Sequence, residues 1–405
     1  MLTSIDHIVE PTLSLSRDNA CRHQTRILVI AAVDTMVWTL LLPWVQELKI
    51  LGFEVHIACS PSNRFELLRD AGFEMHAVRL RRTFNPFSHL LATFALVRLI
   101  RSLGCNAVNT HSPIGGAVGR FAAWLAGVDT IIYTVHGFYF HDRMPRLRRF
   151  AFTSIEWLLG RFTDGFMFVS EEDSVTARRL GIAGTNARVC TIYNGVDVDA
   201  FRPRSSDDPV VKELQSRHQL AGSIVIGTVG RIVKEKGYRE FLRMAVRLTR
   251  EGVNAKYLVI GDSLPTDRDQ FGSTFRRLVA DAGLSSRFVF TGMTDRVADY
   301  LAVMDIFVLA SYREGFPRSV LEAMASGLPV VTTDIRGCRE AVSNGISGVI
   351  VQPANADDLA LAVRRLVNDS SERSEMGRQG RALAVERYDY RQVQERFGKF
   401  VRECM

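Results

Sequence analysis

Short apolar runs alternate with helical stretches along the whole of this 405-residue chain, and that alternation constrains the fold more than any other feature. In the first half the runs fall at 27–32, 54–59, 75–79, 107–110, 130–135 and 165–169, with helical stretches at 40–51, 62–71, 87–103, 115–126 and 146–161. In the second half they fall at 224–229, 256–260, 288–291, 306–310, 330–333 and 348–351, with helices at 238–250, 274–282, 296–302 and 357–368. A strand without polar alternation is buried on both faces. Such strands spaced by helices form parallel sheets covered by helices on either side. A polar stretch with turn residues, Pro203 to Pro209, separates the halves. The expected organisation is a loose extension at 1–25, a first α/β domain at 26–196, a linker at 197–222 and a second α/β domain at 223–385. Two doubly wound domains of similar size face a central cleft, and ligands in such sheets bind beyond the carboxyl ends of the strands.

With 47% hydrophobic and 23% charged residues the chain reads as globular. Its net charge of +7 favours anionic partners: nucleotide diphosphates, a phospholipid surface or nucleic acid. Six cysteines, among them Cys21, have no C-x-x-C spacing, which argues against a zinc site or a disulfide framework and fits a reducing compartment. Residues 1–26 have no apolar core like that of a signal peptide. The apolar stretch 27–45 is broken by Asp34 and Pro43 and divides into a strand and a helix rather than a membrane span.

Chemistry concentrates in residues 313–331. Glu314 and Glu322 flank the sequence Gly315, Phe316, Pro317, Arg318 and Ser319. The apolar run before them reads as a strand and 321–326 as a helix, stopped by Gly327 with Pro329 beyond. Pro317 suits the first helical turn. The unpaired N–H groups of that turn form an anion site. Carboxylates beside a phosphate would repel it, so the glutamates suit hydroxyls. A phosphate with a ring of hydroxyls describes a nucleotide sugar.

The complete string resembles the E-x7-E signature of retaining glycosyltransferases of family 4, which adopt the GT-B fold of two Rossmann-like domains around a cleft. The resemblance runs from about residue 26 to 400. It implies that Glu322 binds ribose hydroxyls and that Glu314 binds the sugar and steadies an oxocarbenium-like transition state. Gly230, Arg231 and Lys236, followed by Gly237, stand where the family places its diphosphate clamp. Asn194, within the string Tyr193 to Asp197, stands at the family's domain junction. His136 matches a histidine that reaches the donor sugar, so the catalytic set would be Glu314, His136, Arg231 and Lys236. His111, Gly115, Gly116 and, less directly, His141 look like acceptor-side lining. The last stretch, 386–405, would form a helix crossing back to the first domain. The family generally needs no metal or other cofactor, so Asp197 and Asp199, which spell D-x-D, are not expected to hold one.

Two features depart from the family. The loop after the first strand lacks the Gly-Gly turn of many members; Thr35 or Trp38 would face an acceptor there instead. Pro317 and Arg318 replace a glycine and an apolar residue, and Arg318 would add charge near the sugar or phosphate. Arginines cluster in the first half at Arg79, Arg81, Arg82, Arg98, Arg101, Arg143, Arg146, Arg148 and Arg149, near Phe84, Phe87, Phe94, Phe150, Phe152 and Trp157. They read either as solvated faces or as an interfacial dock on anionic lipid. Without a recognisable binding module, nucleic acid is not expected. The implied donor is a UDP-sugar, with a UDP-N-acetylhexosamine favoured. The implied acceptor is a polyprenyl-diphosphate-linked saccharide at the cytoplasmic membrane face. A sugar-nucleotide epimerase of the same architecture, a non-catalytic nucleotide-sugar-binding subunit and a basic membrane scaffold stay open as alternatives.

Overall fold

The computed structural model describes residues 25–81, 85–141, 144–264 and 269–405. The expected extension (apart from Thr25) with Cys21, and Arg82, Phe84, Asp142 and Arg143, lie outside the described residues.

Each half forms one parallel sheet. The first has strands β1 (Arg26–Val33), β2 (Glu54–Ser60), β3 (Glu74–Ala77), β4 (Ala107–His111), β5 (Thr130–Val135), β6 (Gly165–Phe168) and β7 (Arg188–Thr191), in the order β3-β2-β1-β4-β5-β6-β7. The second has β8 (Ile224–Val229), β9 (Ala255–Ile260), β10 (Phe288–Gly292), β11 (Ile306–Leu309), β12 (Val330–Thr333) and β13 (Gly348–Val351), in the order β10-β9-β8-β11-β12-β13. The order reverses between β1 and β4 and again between β8 and β11, the positions where a doubly wound sheet opens its crevice.

Crossovers between parallel strands are right-handed. The helices after β3, β4 and β5 (Pro86–Leu103, Pro113–Ala126 and Arg146–Gly160) therefore lie side by side on one face of the first sheet. The segments after β1 and β2 take the opposite face. The first of these is helical from Asp34, earlier than the expected 40–51, and carries a π-helical turn at Val37–Leu41 before Leu42–Ile50. Pro43 lacks an N–H and crowds the preceding turn, and the wider turn accommodates it. The last helix, Tyr390–Cys404, packs on Leu42–Ile50, with Gln394 Nε2 donating to the Pro43 carbonyl at 2.9 Å. Val196 and Tyr388–Tyr390 join the segments before and after the second sheet by backbone hydrogen bonds of 2.8 and 3.0 Å.

Several elements depart from the expectation. β7 and the helix Glu171–Arg179 were absent from the sequence pattern, Pro209–Arg217 is a helix inside the expected linker, and Ser370–Arg387 is a long helix with little amphipathic signal. Glu171–Arg179 buries Asp173, Ser174, Thr176 and Ala177, so it shows no apolar stripe. Its start is set by Ser170, whose hydroxyl accepts from Asp173 N–H, and by three acids in the first turn.

Between helices Pro113–Ala126 and Arg146–Gly160 lies a buried ion pair, Arg120 Nη2 to Glu156 Oε2 at 2.6 Å. The guanidinium also sits 3.9 Å from the centroid of the Tyr133 ring on β5. Removing one member leaves a buried charge uncompensated. Glu156→Leu should cost about 3 kcal/mol, read as a lower denaturant midpoint with unchanged slope. A variant as stable as the wild type would contradict this assignment.

Candidate active site

Because β8 and β11 are neighbours, the loops after them lie side by side although they are far apart in sequence. Gly237, at φ +70°, permits the contact: a Cβ there would stand 1.9 Å from the Ala310 carbonyl oxygen. Lys236 Nζ meets Glu314 Oε1 at 2.6 Å, and Ser311 Oγ donates to the same oxygen at 2.6 Å. Gly230, at φ +153°, lies against the Lys236 stem, and its carbonyl accepts from Tyr238 OH at 2.9 Å. Arg231 is exposed on the same loop.

Helix Arg318–Ala325 begins immediately after Pro317, which flanks the first turn rather than occupying it, and ends before Gly327 at φ +77°. Its first hydrogen bonds run from Val320 and Leu321 N–H to the Pro317 carbonyl. The N–H groups of Arg318 and Ser319 precede them and are the donors a helix start offers to an outside acceptor. Glu322 is in the second turn; burial raises its pKa, against a lowering by Arg318. Arg318 also reaches the first domain. Its Nη1 donates to the Thr39 carbonyl, and its Nη2 lies 3.8 Å from Glu322 Oε1. It bridges the domains while keeping its charge beside Glu322.

The first domain meets this loop through backbone. A Cβ on Gly315 would lie 2.0 Å from the His136 carbonyl oxygen, and one on Gly137 would lie 2.9 Å from Gly315 Cα. Asn194 Nδ2 donates to the Phe316 carbonyl at 2.7 Å, while its Oδ1 is buried without a partner. Phe316, Tyr193 and Tyr388 pack with ring centroids 5.4–5.5 Å apart. His141, with Gly137, Phe138 and Glu314, lines a cleft pocket of about 230 Å³.

His111 does not line the acceptor side as expected. It is 1% exposed, and its Nδ1 lies 3.0 Å from Nε2 of His136. The neighbouring β4 and β5 bring the two together. Trp44 stacks between His136 and Phe397 of the last helix, at 5.6 and 5.2 Å. Burial lowers the His136 pKa to about 3 and that of His111 well below its ordinary value, with His136 adding to the latter. Both rings are therefore neutral at pH 7, and one ring nitrogen of the bonded pair carries the shared proton. His136 Nδ1 is buried without a protein partner.

The other acceptor-side residues are engaged within the first domain. Gly115 N–H donates to Oγ of the cap residue Ser112 at 3.3 Å, and a Cβ on Gly116 would lie 2.4 Å from the Tyr133 ring, so close helix–strand packing accounts for Gly116. Thr35 Oγ1 donates to Asp34, whose buried carboxylate also accepts from Ser62 and Arg64 N–H. Trp38 is half-buried beneath the Arg64 guanidinium at 4.8 Å. In the D-x-D string, Asp197 caps the N–H groups of Asp199 and Ala200, and Asp199 pairs with Arg391 at 2.5 Å.

Sequence reasoning missed a second contact across the cleft. Arg336 meets Asp173 at 2.5 Å, and Arg339 grips Glu172 at 2.7 and 3.0 Å. Glu340 accepts from Ser170 Oγ and from Glu171 N–H at the start of helix Glu171–Arg179. The only signal was their place after β12, at the carboxyl edge of the sheet.

Two facing Rossmann-like domains with this cleft define the GT-B fold. Solved structures agree on the fold: Anabaena HepE in complex with UDP-glucose superposes with a TM-score of 0.77 at 18% identity, covering 94% of this chain and 100% of its own. The family model for glycosyl transferases group 1 matches residues 211–383, and that for glycosyltransferase family 4 matches 37–200. The chain thus carries a glycosyltransferase family 4 domain in its first half and a glycosyl transferases group 1 domain in its second. Among its relatives are the Campylobacter jejuni N,N'-diacetylbacillosaminyl-diphospho-undecaprenol alpha-1,3-N-acetylgalactosaminyltransferase and the Staphylococcus aureus capsular polysaccharide biosynthesis glycosyltransferase CapM. Both are 26% identical, over 92% of this chain and 97% of the first relative, and over 89% and 93% for the second.

The histidine pair has a pH consequence. Folded, both rings stay neutral; unfolded, each takes up a proton below about pH 6.5. The unfolded state then binds more protons, so stability falls as pH drops from 6.5 by about 1.4 kcal/mol per unit per histidine. The double variant His111→Asn, His136→Asn should lose that slope between pH 6.5 and 5 in urea titrations. An unchanged slope would show that the rings are not held neutral.

Proposed function

We propose that this glycosyltransferase moves a sugar from a UDP-sugar donor, a UDP-N-acetylhexosamine by preference, to a polyprenyl-diphosphate-linked saccharide with retention of configuration. It would act in cell-surface polysaccharide synthesis of the capsule or lipopolysaccharide type. The observation that carries the reading is the Lys236–Glu314 pair at 2.6 Å, beside the start of the helix that holds Glu322. A lone ion pair in a cleft does nothing by itself. Beside a helix N-terminus it supplies a cation for a diphosphate and a carboxylate for hydroxyls, which separate when a donor enters. The named substrates of the relatives in Campylobacter jejuni and Escherichia coli, which carry saccharide on diphospho-undecaprenol, support a lipid-linked acceptor.

In this mechanism Lys236, Arg231 and the N–H groups of Arg318 and Ser319 stabilise charge on the departing diphosphate. They take the place of a metal ion, and no cofactor is required. Glu322 holds the ribose hydroxyls. Glu314, released from Lys236, holds sugar hydroxyls and steadies positive charge at the anomeric carbon. His136, neutral, offers a hydrogen bond to the sugar from the ring nitrogen that the protein leaves unpaired. The acceptor hydroxyl attacks from the face the diphosphate leaves, and a leaving phosphate oxygen takes its proton, so no protein nucleophile is needed. The enzyme would work at the cytoplasmic face of the cell membrane, with its basic first domain toward anionic lipid. No described helix is long and apolar enough to cross a membrane.

Transfer is read as UDP release from a donor panel, with membrane extract as acceptor. Glu314→Ala and Lys236→Ala should each lower kcat by about 10²-fold or more with the fold intact by circular dichroism. Wild-type turnover in both variants would sink the site. Incubation with UDP-sugar alone separates the epimerase alternative, since an epimer formed without acceptor would replace the transferase reading.

A further inference from the structure

We infer that the outer face of helices Pro86–Leu103, Pro113–Ala126 and Arg146–Gly160 inserts apolar side chains into an anionic bilayer, a mode of attachment beyond contact by basic residues. This deepens the membrane part of the function proposed above but does not depend on the sugar chemistry.

The three helices are neighbours on one face of the first sheet, opposite the face that the last helix covers. Every exposed phenylalanine and tryptophan among the described residues lies on them. Phe87, Leu91 and Phe94, at helical spacing, form one stripe; Phe87 is 76% and Leu91 72% exposed. Leu147 and Phe150, 81% and 71% exposed, begin a second stripe that continues to Trp157, and Trp124 stands on the helix between. A contiguous apolar surface of this kind marks an interaction site rather than ordinary exposure.

Charge selects the occupant. The three helices contain one acid, Glu156, and it is buried against Arg120. Their exposed charges, Arg98, Arg101, Arg146 and Arg148, are all positive. A second copy of this face would set arginine against arginine. An anionic lipid surface complements both the charge and the apolar stripes, with tryptophan at the interface and guanidinium at the headgroups.

The test uses the full chain and vesicles of phosphatidylcholine with or without phosphatidylglycerol, followed by sedimentation. The wild type should bind the anionic vesicles and keep measurable binding at about 0.5 M salt, where purely electrostatic docking is screened. The double variant Leu91→Asp, Phe150→Asp should bind about tenfold more weakly. It should release UDP from donor with a soluble acceptor analogue as the wild type does, because neither residue touches the cleft. Trp124 and Trp157 emission should be quenched by brominated lipid. Equal binding by variant and wild type, complete loss of wild-type binding in salt, or a wild-type dimer that the variant dissolves would each overturn the proposal. A chain that binds vesicles and transfers no sugar would fail the function proposed above and leave this face standing.

Discussion

The arrangement of the cleft rests on one close approach, that of two backbones at Gly315. Its α-carbon faces the His136 carbonyl so closely that no side chain fits between them, and Gly337 faces the Gly315 carbonyl in the same way, with a Cβ there 2.0 Å from the oxygen. Three chain segments, after β5, β11 and β12, meet without side chains in the way. Their neighbours are thereby placed. Glu314 precedes the contact, His136 forms its other half, and Arg336 and Cys338 flank the third glycine. Polar groups from both domains reach a common pocket because the chain is bare where the domains touch.

Around that contact the charges are balanced within the protein. Glu314 is neutralised by Lys236, Asp173 by Arg336, and Glu172 by Arg339. Glu340 spends its charge on the start of a helix in the other domain. Burial against Arg336 still leaves the Asp173 pKa raised to about 6. A cleft lined this way repels a dianionic ligand less, because Glu314, Asp173, Glu172 and Glu340 each have a partner within the protein. It does not hold a strong uncompensated field before the ligand arrives. In the function proposed above, a donor diphosphate would compete with Glu314 for Lys236, and the freed carboxylate would become available to the sugar. The pair would then link binding of one part of the donor to readiness for the other.

Most of the sheets was legible in the sequence, since parallel strands buried on both faces are continuous apolar runs and all six of the second sheet read that way. β7 was not, because Arg188–Thr191 is an edge strand with a charged residue and no apolar run. Helix Glu171–Arg179 was not, because its buried side is Asp173, Ser174 and Thr176, with Asp173 meeting Arg336 of the other domain. The conjunction of Lys236 with Glu314 was legible through motif order after two strands that doubly wound topology makes neighbours. The burial of His111, the reach of Arg318 to Thr39 and the packing role of Gly116 were not. Each depends on which side chain fills the space at the end of a strand, and strand–helix alternation does not encode that.

The same segments that carry the histidines also carry the apolar face. β4 ends at His111 and feeds helix Pro113–Ala126; β5 ends just before His136 and feeds helix Arg146–Gly160. Arg120 and Glu156 tie those two helices together, and the Arg120 guanidinium lies on Tyr133, three residues before His136. A buried ion pair of this kind gives little net stability over apolar packing. Its value here is geometric, since it fixes the register of two helices against the strand that positions His136. On the opposite side of the sheet, Phe397 and Trp44 press on the same ring. His136 is thus held from both faces of its sheet, by the layer that faces the membrane in our reading and by the helix that closes the chain. The orientation of the protein on a bilayer and the orientation of that imidazole in the cleft are set by one rigid body.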